Sequence, residues 1–318
     1  MKYKNIKGTQ LNSSVIIMGG DGFGAAINEK DSFKLLDKYM ELGGNHIDTA
    51  NIYGYPTQES EKTIGKWLKS SGKRPIIATK GGHPNPQTMD ISRLSEKELR
   101  EDLDKSLENL GIECVDLYWL HRDDAKLPVS GIIETLNKFI KEGKIREIGC
   151  SNWTSDRIRT ANNYAVEHGL KGFAASQIKW SFAQTADKYE EDSTLVAMTK
   201  EQYPFYEEGN VAVMAYASQA KGFFTKYAEG GESNLSEKAK QRYMSPENMK
   251  KFELIRRIAK ENNVSVSTVV LEYLINQPFD TFPIVGCKNT KQLEDSLAAA
   301  DSEIASWDIR LLVEAGNA

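Results

Sequence analysis

A recurring rhythm constrains this chain more than any single motif. Short apolar runs recur along it, each ends in a polar side chain, and a helical pattern separates each run from the next. Asn45-His46-Ile47 closes in Asp48, Ile76–Thr79 in Lys80 and Val115–Leu120 in His121. Ile145–Gly149 leads to Ser151-Asn152, Phe173–Ser176 to Gln177 and Val211–Ala215 to Tyr216. Runs that are apolar on both faces suit a parallel sheet covered by helices. Strand and helix alternate about eight times between Val15 and the last run, Phe282–Val285, and no Pro/Gly/Ser-rich linker divides them. The pattern predicts a (β/α)8 TIM barrel formed as a single domain over residues 1–318, a length such barrels reach without splitting. A short N-terminal hairpin (Tyr3–Ile6 with Gln10–Leu11) precedes it, and an extra C-terminal helix near 303–314 follows. In a barrel, side chains at the carboxyl ends of the strands converge on one face. The polar endings are therefore the candidate site.

Helix boundaries are written locally. The first helix is expected after Asp31-Ser32, with Gly43-Gly44 as its stop. Ser95 and Glu98 have capping-box spacing, and Leu99, Leu103, Leu107 and Leu110 form one apolar stripe ended by Gly111. Ile132, Ile133, Leu136, Phe139 and Ile140 form the next stripe, closed by Gly143. Further helices are expected over 58–69, 154–168, 247–262, 266–276 and 290–300. The longest irregular stretch, about 217–246, follows the seventh strand, on the face where barrels carry functional loops.

Composition excludes several partners. With 41 basic against 45 acidic residues and no basic block, the chain lacks the positive face that nucleic acid demands. No run approaches a membrane span, and Lys2, Lys4 and Lys7 precede no apolar signal core. Cys114, Cys150 and Cys287 form no CxxC pair, so they read as reduced thiols in a cytoplasmic protein. The four histidines show no paired helical spacing, so no metal is expected.

Taken singly, the strand-end residues have ordinary explanations: Asp48 a cap, Tyr53 a loop aromatic, Lys80 a solvated charge, His121 a satisfied core histidine. Together they suit one reaction. A hydride added to a carbonyl leaves an alkoxide, so a proton donor belongs at the oxygen. Tyrosine is a weak acid, with an ordinary pKa of about 10. A nearby ammonium would favour its ionised form, a carboxylate would hold that ammonium, and a histidine would orient the carbonyl. Tyr53, Lys80, Asp48 and His121 supply these parts from consecutive strand ends. The segments Gly44–Ala50, Tyr53-Gly54, Glu59, Ile64-Gly65, Ala78-Thr79-Lys80, Leu120-His121-Arg122 and Ile148–Asn152 resemble, in order and spacing, those of the aldo-keto reductase family. The resemblance runs from about Met18 to Ser296. It implies Tyr53 as the acid, Lys80 and Asp48 as its tuning pair, His121 as the orienting group, and reduction of a small aldehyde or ketone.

The same resemblance implies NADP(H) as cofactor, with NAD(H) as the alternative. It places Ser151, Asn152, Gln177 and Tyr216 at the nicotinamide. Ser218, Gln219 and Gly222, with Lys226 just after them, resemble the pyrophosphate loop. Gly286, Lys288 and Gln292, where Asn289 and Gln292 have cap spacing, suit the phosphate site after the last strand. Gln292, Asp295 and Ser296 would face the adenosine. Many members carry Lys or Arg at the Gly286 or Gln292 position and Glu-Asn in place of Asp295-Ser296. Lys226, Arg242 and Lys288 are the cations able to compensate. The expected substrate wall is Phe23, Tyr55, Trp119, Arg122, Asp123, Trp153 and Trp180, with Arg122-Asp123 either meeting substrate or pairing with each other. Phe23 sits in Gly20-Asp21-Gly22-Phe23-Gly24, which lacks GxGxxG spacing and reads as the first βα loop. Two rivals stand beside this reading. One is a cofactor-binding regulatory protein of the same fold, like the potassium-channel β subunits. The other is a barrel glycosidase, disfavoured because strands four and seven end in His121 and Tyr216 rather than in facing carboxylates.

Overall fold

The computed structural model describes residues 1–186 and 192–317. Strands β1 (Tyr3–Asn5) and β2 (Asn12–Ser14) form an antiparallel hairpin. Eight parallel strands then close into a barrel: β3 (Ile17–Gly19), β4 (His46–Asp48), β5 (Ile76–Gly81), β6 (Val115–Leu120), β7 (Ile145–Ser151), β8 (Ala175–Lys179), β9 (Ala212–Tyr216) and β10 (Thr281–Val285), with β10 beside β3. Ile6 and Leu11 of the hairpin are buried against the barrel's interior residues Ile17, Leu117, Met214 and Phe282. The hairpin is thus a plug for the end opposite the strand carboxyl termini.

Local signals set the helices. In α1 (Glu29–Glu41) the cap is Asn28, whose side chain accepts from Asp31 N, so the helix starts ahead of the expected Asp31-Ser32 cap. The expected capping box forms at the head of α3 (Glu96–Leu110), and Gly111 ends that helix in the left-handed conformation. Its Leu99, Leu103 and Leu110 are fully buried; each such side chain contributes roughly 1.5–3 kcal/mol. Helices α2 (Ser60–Ser71), α4 (Val129–Lys141) and α5 (Ser155–Glu167) complete the regular repeats. The β8–β9 connection departs from the pattern, since its helix among the described residues, α6 (Tyr203–Glu207), has five residues. The stretch 217–246 is not irregular, as expected from its glycines, but folds into α7 (Phe223–Gly230) and α8 (Glu237–Tyr243). Phe223, Phe224 and Tyr243 anchor these two helices in the outer core. Helices α9 (Pro246–Glu261), α10 (Val266–Ile275), α11 (Thr290–Leu297) and α12 (Ser306–Asn317) finish the chain. The last packs on the outside, where Asp308 accepts from Arg257 and Asn262. No helix among the described residues is long and apolar enough to cross a membrane.

The two-residue period of a strand decides what faces inward. Ile47, Ile77, Tyr118, Ile148, Ile178 and Val213 point out to the helices. Ala78, Leu117, Trp119, Ala175, Ala212 and Met214 fill the interior. Trp119 fits because the facing residue is Gly149, where a Cβ would lie 2.4 Å from the indole ring. Counting two more residues from these interior positions reaches Lys80, His121, Gln177 and Tyr216, and Asp48 enters the same ring two residues after the inward His46. One register therefore lifts all the polar strand ends to one face.

Candidate functional site

At the centre is a buried ion pair. Lys80 Nζ lies 2.5 Å from Asp48 Oδ2, with side-chain exposures of 0% and 2%. The ammonium also donates to Thr49 O at 2.8 Å, and Gln177 Nε2 donates to the other Asp48 oxygen at 2.9 Å. The Tyr53 ring lies over this pair, its centroid 4.7 Å from Lys80 Nζ. His121 stands edge-on to Tyr53, with ring centroids 5.8 Å apart. The four residues expected to act together therefore form one connected series, Asp48 to Lys80 to Tyr53 to His121.

Their electrostatics differ from the sequence expectation in one respect. The Tyr53 phenol is pushed well above its ordinary value, first by burial, then by the charges of Asp48 and Asp21. Lys80 was expected to favour the phenolate, but Asp48 cancels its charge at contact distance. Burial also lowers the Lys80 ammonium, against the opposing pull of Asp48. His121 is lowered well below the ordinary histidine value by burial and by the nearby Arg122 and Lys80 charges, so the ring is neutral. Its Nδ1 is sealed from solvent and has no hydrogen-bond partner among the described residues. A buried orphan N–H is rarer and costlier than an unused lone pair. The proton accordingly belongs on Nε2, the accessible nitrogen. A protonated phenol and an imidazole N–H are two donors suited to one carbonyl oxygen.

Beside them, Asn152 (φ 61°) is a junction. Its Oδ1 accepts from Tyr216 Oη at 2.8 Å and Val196 N at 3.1 Å; its Nδ2 donates to His121 O at 3.2 Å and Ser151 Oγ at 3.0 Å. An asparagine amide has two donor hydrogens and two acceptor lone pairs. All are used within the protein, so Asn152 braces the site from within. Gln177 also spends its NH2 on Asp48, while Ser151 and Tyr216 lie at the same mouth.

The loop after β9 holds Ala217, Ala220, Lys221 and Gly222 at positive φ. The N–H groups of Ala220 and Gly222 close tight turns onto Ala217 O and Gln219 O, both at 2.8 Å, and strain of this kind gathers at functional sites. Ser218 Oγ donates to Ile284 O at 2.6 Å, fixing the loop to β10. Gln219 bridges to Ser267 Oγ at 2.8 Å and Ser296 Oγ at 3.4 Å. After β10, Gly286 is exposed with open space where a Cβ would stand. Asn289 caps α11 by accepting from Gln292 N, and Gln292 Oε1 accepts from Lys288 N, both at 2.9 Å. The Lys288 and Lys226 side chains are exposed, the latter reaching Lys221 O at 2.9 Å. The strained loop, the helix N-terminus and the two lysines fit a dinucleotide bearing phosphates.

The expected substrate wall is largely corrected. Phe23, Trp119 and Trp153 are wholly buried: Phe23 packs with Leu35 and Ile64, Trp119 fills the barrel, and Trp153 meets Phe173 outside it. Trp180 turns outward, stacking on Phe279 and donating to Tyr273 Oη at 3.1 Å. It borders a cavity of about 600 Å³ on the outer wall beside the short α6. Arg122 and Asp123 do not pair: Arg122 binds Thr194 Oγ1 at 3.0 Å and Asp192 at 3.4 Å, while Asp123 pairs with Arg157 at 3.1 Å. Tyr55 remains exposed, with its Oη accepting from Gln87. Two features escaped the sequence reading. Asp192 and Thr194 give no motif. His83, by contrast, follows Lys80 across a Gly-Gly turn, a signal that could have been read, and its ring meets His121 edge-on at 4.7 Å.

The profile of the Aldo/keto reductase family matches residues 15–316. An aldo-keto reductase of Schizosaccharomyces pombe, yakc, whose name carries NADP(+), is 30% identical over 299 residues, covering 91% of this chain and 83% of its own. An uncharacterized oxidoreductase of Bacillus subtilis, YrpG, is 27% identical, covering 98% and 95%. An aryl-alcohol dehydrogenase of Pestalotiopsis microspora is 27% identical, covering 91% and 73%.

Proposed function

The chain belongs to the aldo/keto reductase family, oxidoreductases that act on small carbonyl substrates with nicotinamide cofactors, and from that premise we propose that it is a single-domain NADPH-dependent reductase with Tyr53 as its acid. The observation that carries this reading is the Asp48–Lys80 pair sealed beneath Tyr53, with His121 at a right angle to it. The nicotinamide, when bound, supplies a hydride to the carbonyl carbon. Tyr53 and the His121 Nε2–H hold the carbonyl oxygen and so polarise the bond. As negative charge grows on that oxygen, the Tyr53 proton moves onto it, because an alkoxide is a far stronger base than a phenolate. The phenolate left behind lies over the Lys80 ammonium, which Asp48 and Thr49 keep in place. Ser151, Gln177 and Tyr216 would border the nicotinamide, and Lys226 and Lys288, with the Gly222 and Gly286 loops, would hold the phosphates.

The test is turnover of aldehydes and ketones with NADPH, followed by loss of reduced-cofactor absorbance. Tyr53→Phe should lower the rate by about 10²–10⁴-fold and leave NADPH affinity nearly unchanged. A variant with near wild-type turnover would remove Tyr53 from its role.

A further inference from the structure

The expected substrate wall is mostly buried, which leaves open what recognises the rest of a substrate once its carbonyl oxygen is held. His83 answers that need. Two glycines put it there. At Gly81 a Cβ would lie 2.0 Å from Tyr118 Oη, and Gly82 (φ +73°) would place one 2.6 Å from Leu94. Gly82 N donates to Asp102 at 2.9 Å, and His121 N donates to Gly81 O at 2.8 Å. The loop leaving β5 is thus sewn to the end of β6, and the His83 and His121 rings meet edge-on at 4.7 Å.

The chemistry of His83 is the complement of its neighbour's. Its Nδ1 lies 2.6 Å from Pro84 O. A carbonyl oxygen can only accept, so Nδ1 carries the proton and Nε2 carries the lone pair. Burial lowers the ring's basicity and keeps this neutral form at physiological pH. No hydrogen bond to Nε2 is made among the described residues, and the half-buried ring leaves that nitrogen accessible. Most other groups near Tyr53 are committed: Asp48 is taken by Lys80 and Gln177, Tyr55 by Gln87 and Arg122 by Thr194 and Asp192, while Asp21 is exposed and acts on Tyr53 through its charge. Beside the two donors on the carbonyl oxygen, His83 Nε2 therefore stands ready as a neutral acceptor.

Building on the reductase reading, we propose that His83 determines specificity: its Nε2 accepts a hydrogen bond from a hydroxyl on the carbon next to the substrate carbonyl, so that α-hydroxy aldehydes and ketones are preferred. Two vicinal oxygens, one accepting and one donating, match two adjoining imidazoles, one donating and one accepting. A substrate without the hydroxyl leaves Nε2 to water.

The experiment compares kcat/KM for 2-hydroxypropanal and propanal, which differ by one hydroxyl, in wild type, His83→Phe and His83→Gln. Phenylalanine keeps a ring against His121 and deletes the lone pair; glutamine restores an acceptor. Wild type should favour the hydroxy aldehyde, His83→Phe should lower that ratio about three- to tenfold, and His83→Gln should recover part of it. In the cofactor-free protein, the imidazole ¹⁵N spectrum should show His83 protonated at Nδ1, with the Nε2 resonance moving on addition of 2-hydroxypropanal but not propanal. A ratio that His83→Phe leaves unchanged, an equal loss on both aldehydes, or an Nε2–H tautomer would overturn the proposal while leaving the reductase reading intact. A wild type that reduces neither aldehyde nor any other carbonyl would overturn both.

Discussion

The Asp48–Lys80 pair offers the most quantitative test of the site. Both charges are out of water, at 2% and 0% exposure, so each depends on the other. Replacing one partner strands the opposite charge in the barrel. Asp48→Asn leaves the Lys80 ammonium with Thr49 O and an amide. Lys80→Met, similar in length, leaves the Asp48 carboxylate with Gln177 alone. Breaking a buried pair in this way costs about 3–5 kcal/mol, whereas removing both charges is often close to neutral. If each single change costs about 4 kcal/mol, additivity predicts about 8 for the double variant; the stranded-charge argument predicts well under 4. The coupling is thus several kcal/mol, far outside error. Urea unfolding of the four proteins at neutral pH measures it, with a common m-value as the control. Lys80→Met and the double variant should also lose turnover, because the Tyr53 phenolate loses its cation, whereas Asp48→Asn keeps the ammonium and should lose less; the double variant should combine restored stability with lost activity. Single-variant costs that simply add, within about 0.5 kcal/mol, would refute the reasoning.

Other outcomes follow from the same contacts. The reductive profile should show no histidine or phenol midpoint between about pH 6.5 and 10, because His121 is shifted down and Tyr53 up, and neither titrates there. Alcohol oxidation, which needs the phenolate, should climb with pH over the same interval; a histidine-like midpoint in the reductive profile would contradict this. Acid should destabilise the fold through His46, which burial and the Lys80 charge push down to about 3. Its folded pKa lies below the unfolded value, so the unfolded chain takes the proton first, and stability that is complete above about pH 6.5 falls by roughly 1.4 kcal/mol per unit toward 3. His46→Gln should flatten that part of the urea-midpoint profile, and an unchanged slope would exclude His46 as its source. Lys288→Ala should raise the Michaelis constant for NADPH by about ten- to hundredfold more than for NADH, the loss of one charge-assisted contact. Equal effects on both cofactors would move the 2′-phosphate site elsewhere.

Legibility in the sequence followed the range of the interactions. The Ser95–Glu98 box and the leucine stripe behind it act over a single helix, and both are where they were expected. The barrel was readable because each strand repeats one local instruction, an apolar run with a polar end. Asp48, Lys80 and His121 came with it, since a period of two residues turns strand position into orientation. Aromatic residues just outside the strands were not readable in this way. Trp153 and Trp180 follow β7 and β8 directly, and whether such a ring turns to the mouth or to the outer core depends on the helices behind it. Arg122 was misjudged because Asp192 lies 70 residues away and no local pattern joins them. The raised Tyr53 phenol was likewise invisible: it depends on how deeply the ring sits and how near Asp48 comes, neither of which spacing encodes.

The saturation of Asn152 bears on how such a face can change over time or by design. Barrels are commonly treated as eight exchangeable loops on a fixed chassis. Here one amide ties together the backbone of His121 after β6, the hydroxyls of Ser151 and Tyr216 on β7 and β9, and Val196 in the long excursion from β8. That excursion is in turn fastened to Arg122 through Asp192 and Thr194. Transplanting the β8 excursion from a relative without its matching Arg122 partner would loosen the seat of His121, although no residue named in the chemistry had been altered. The loops after β6, β7, β8 and β9 form one heritable cassette, and the loop after β5 is joined to it where His121 N donates to Gly81 O and His83 meets His121.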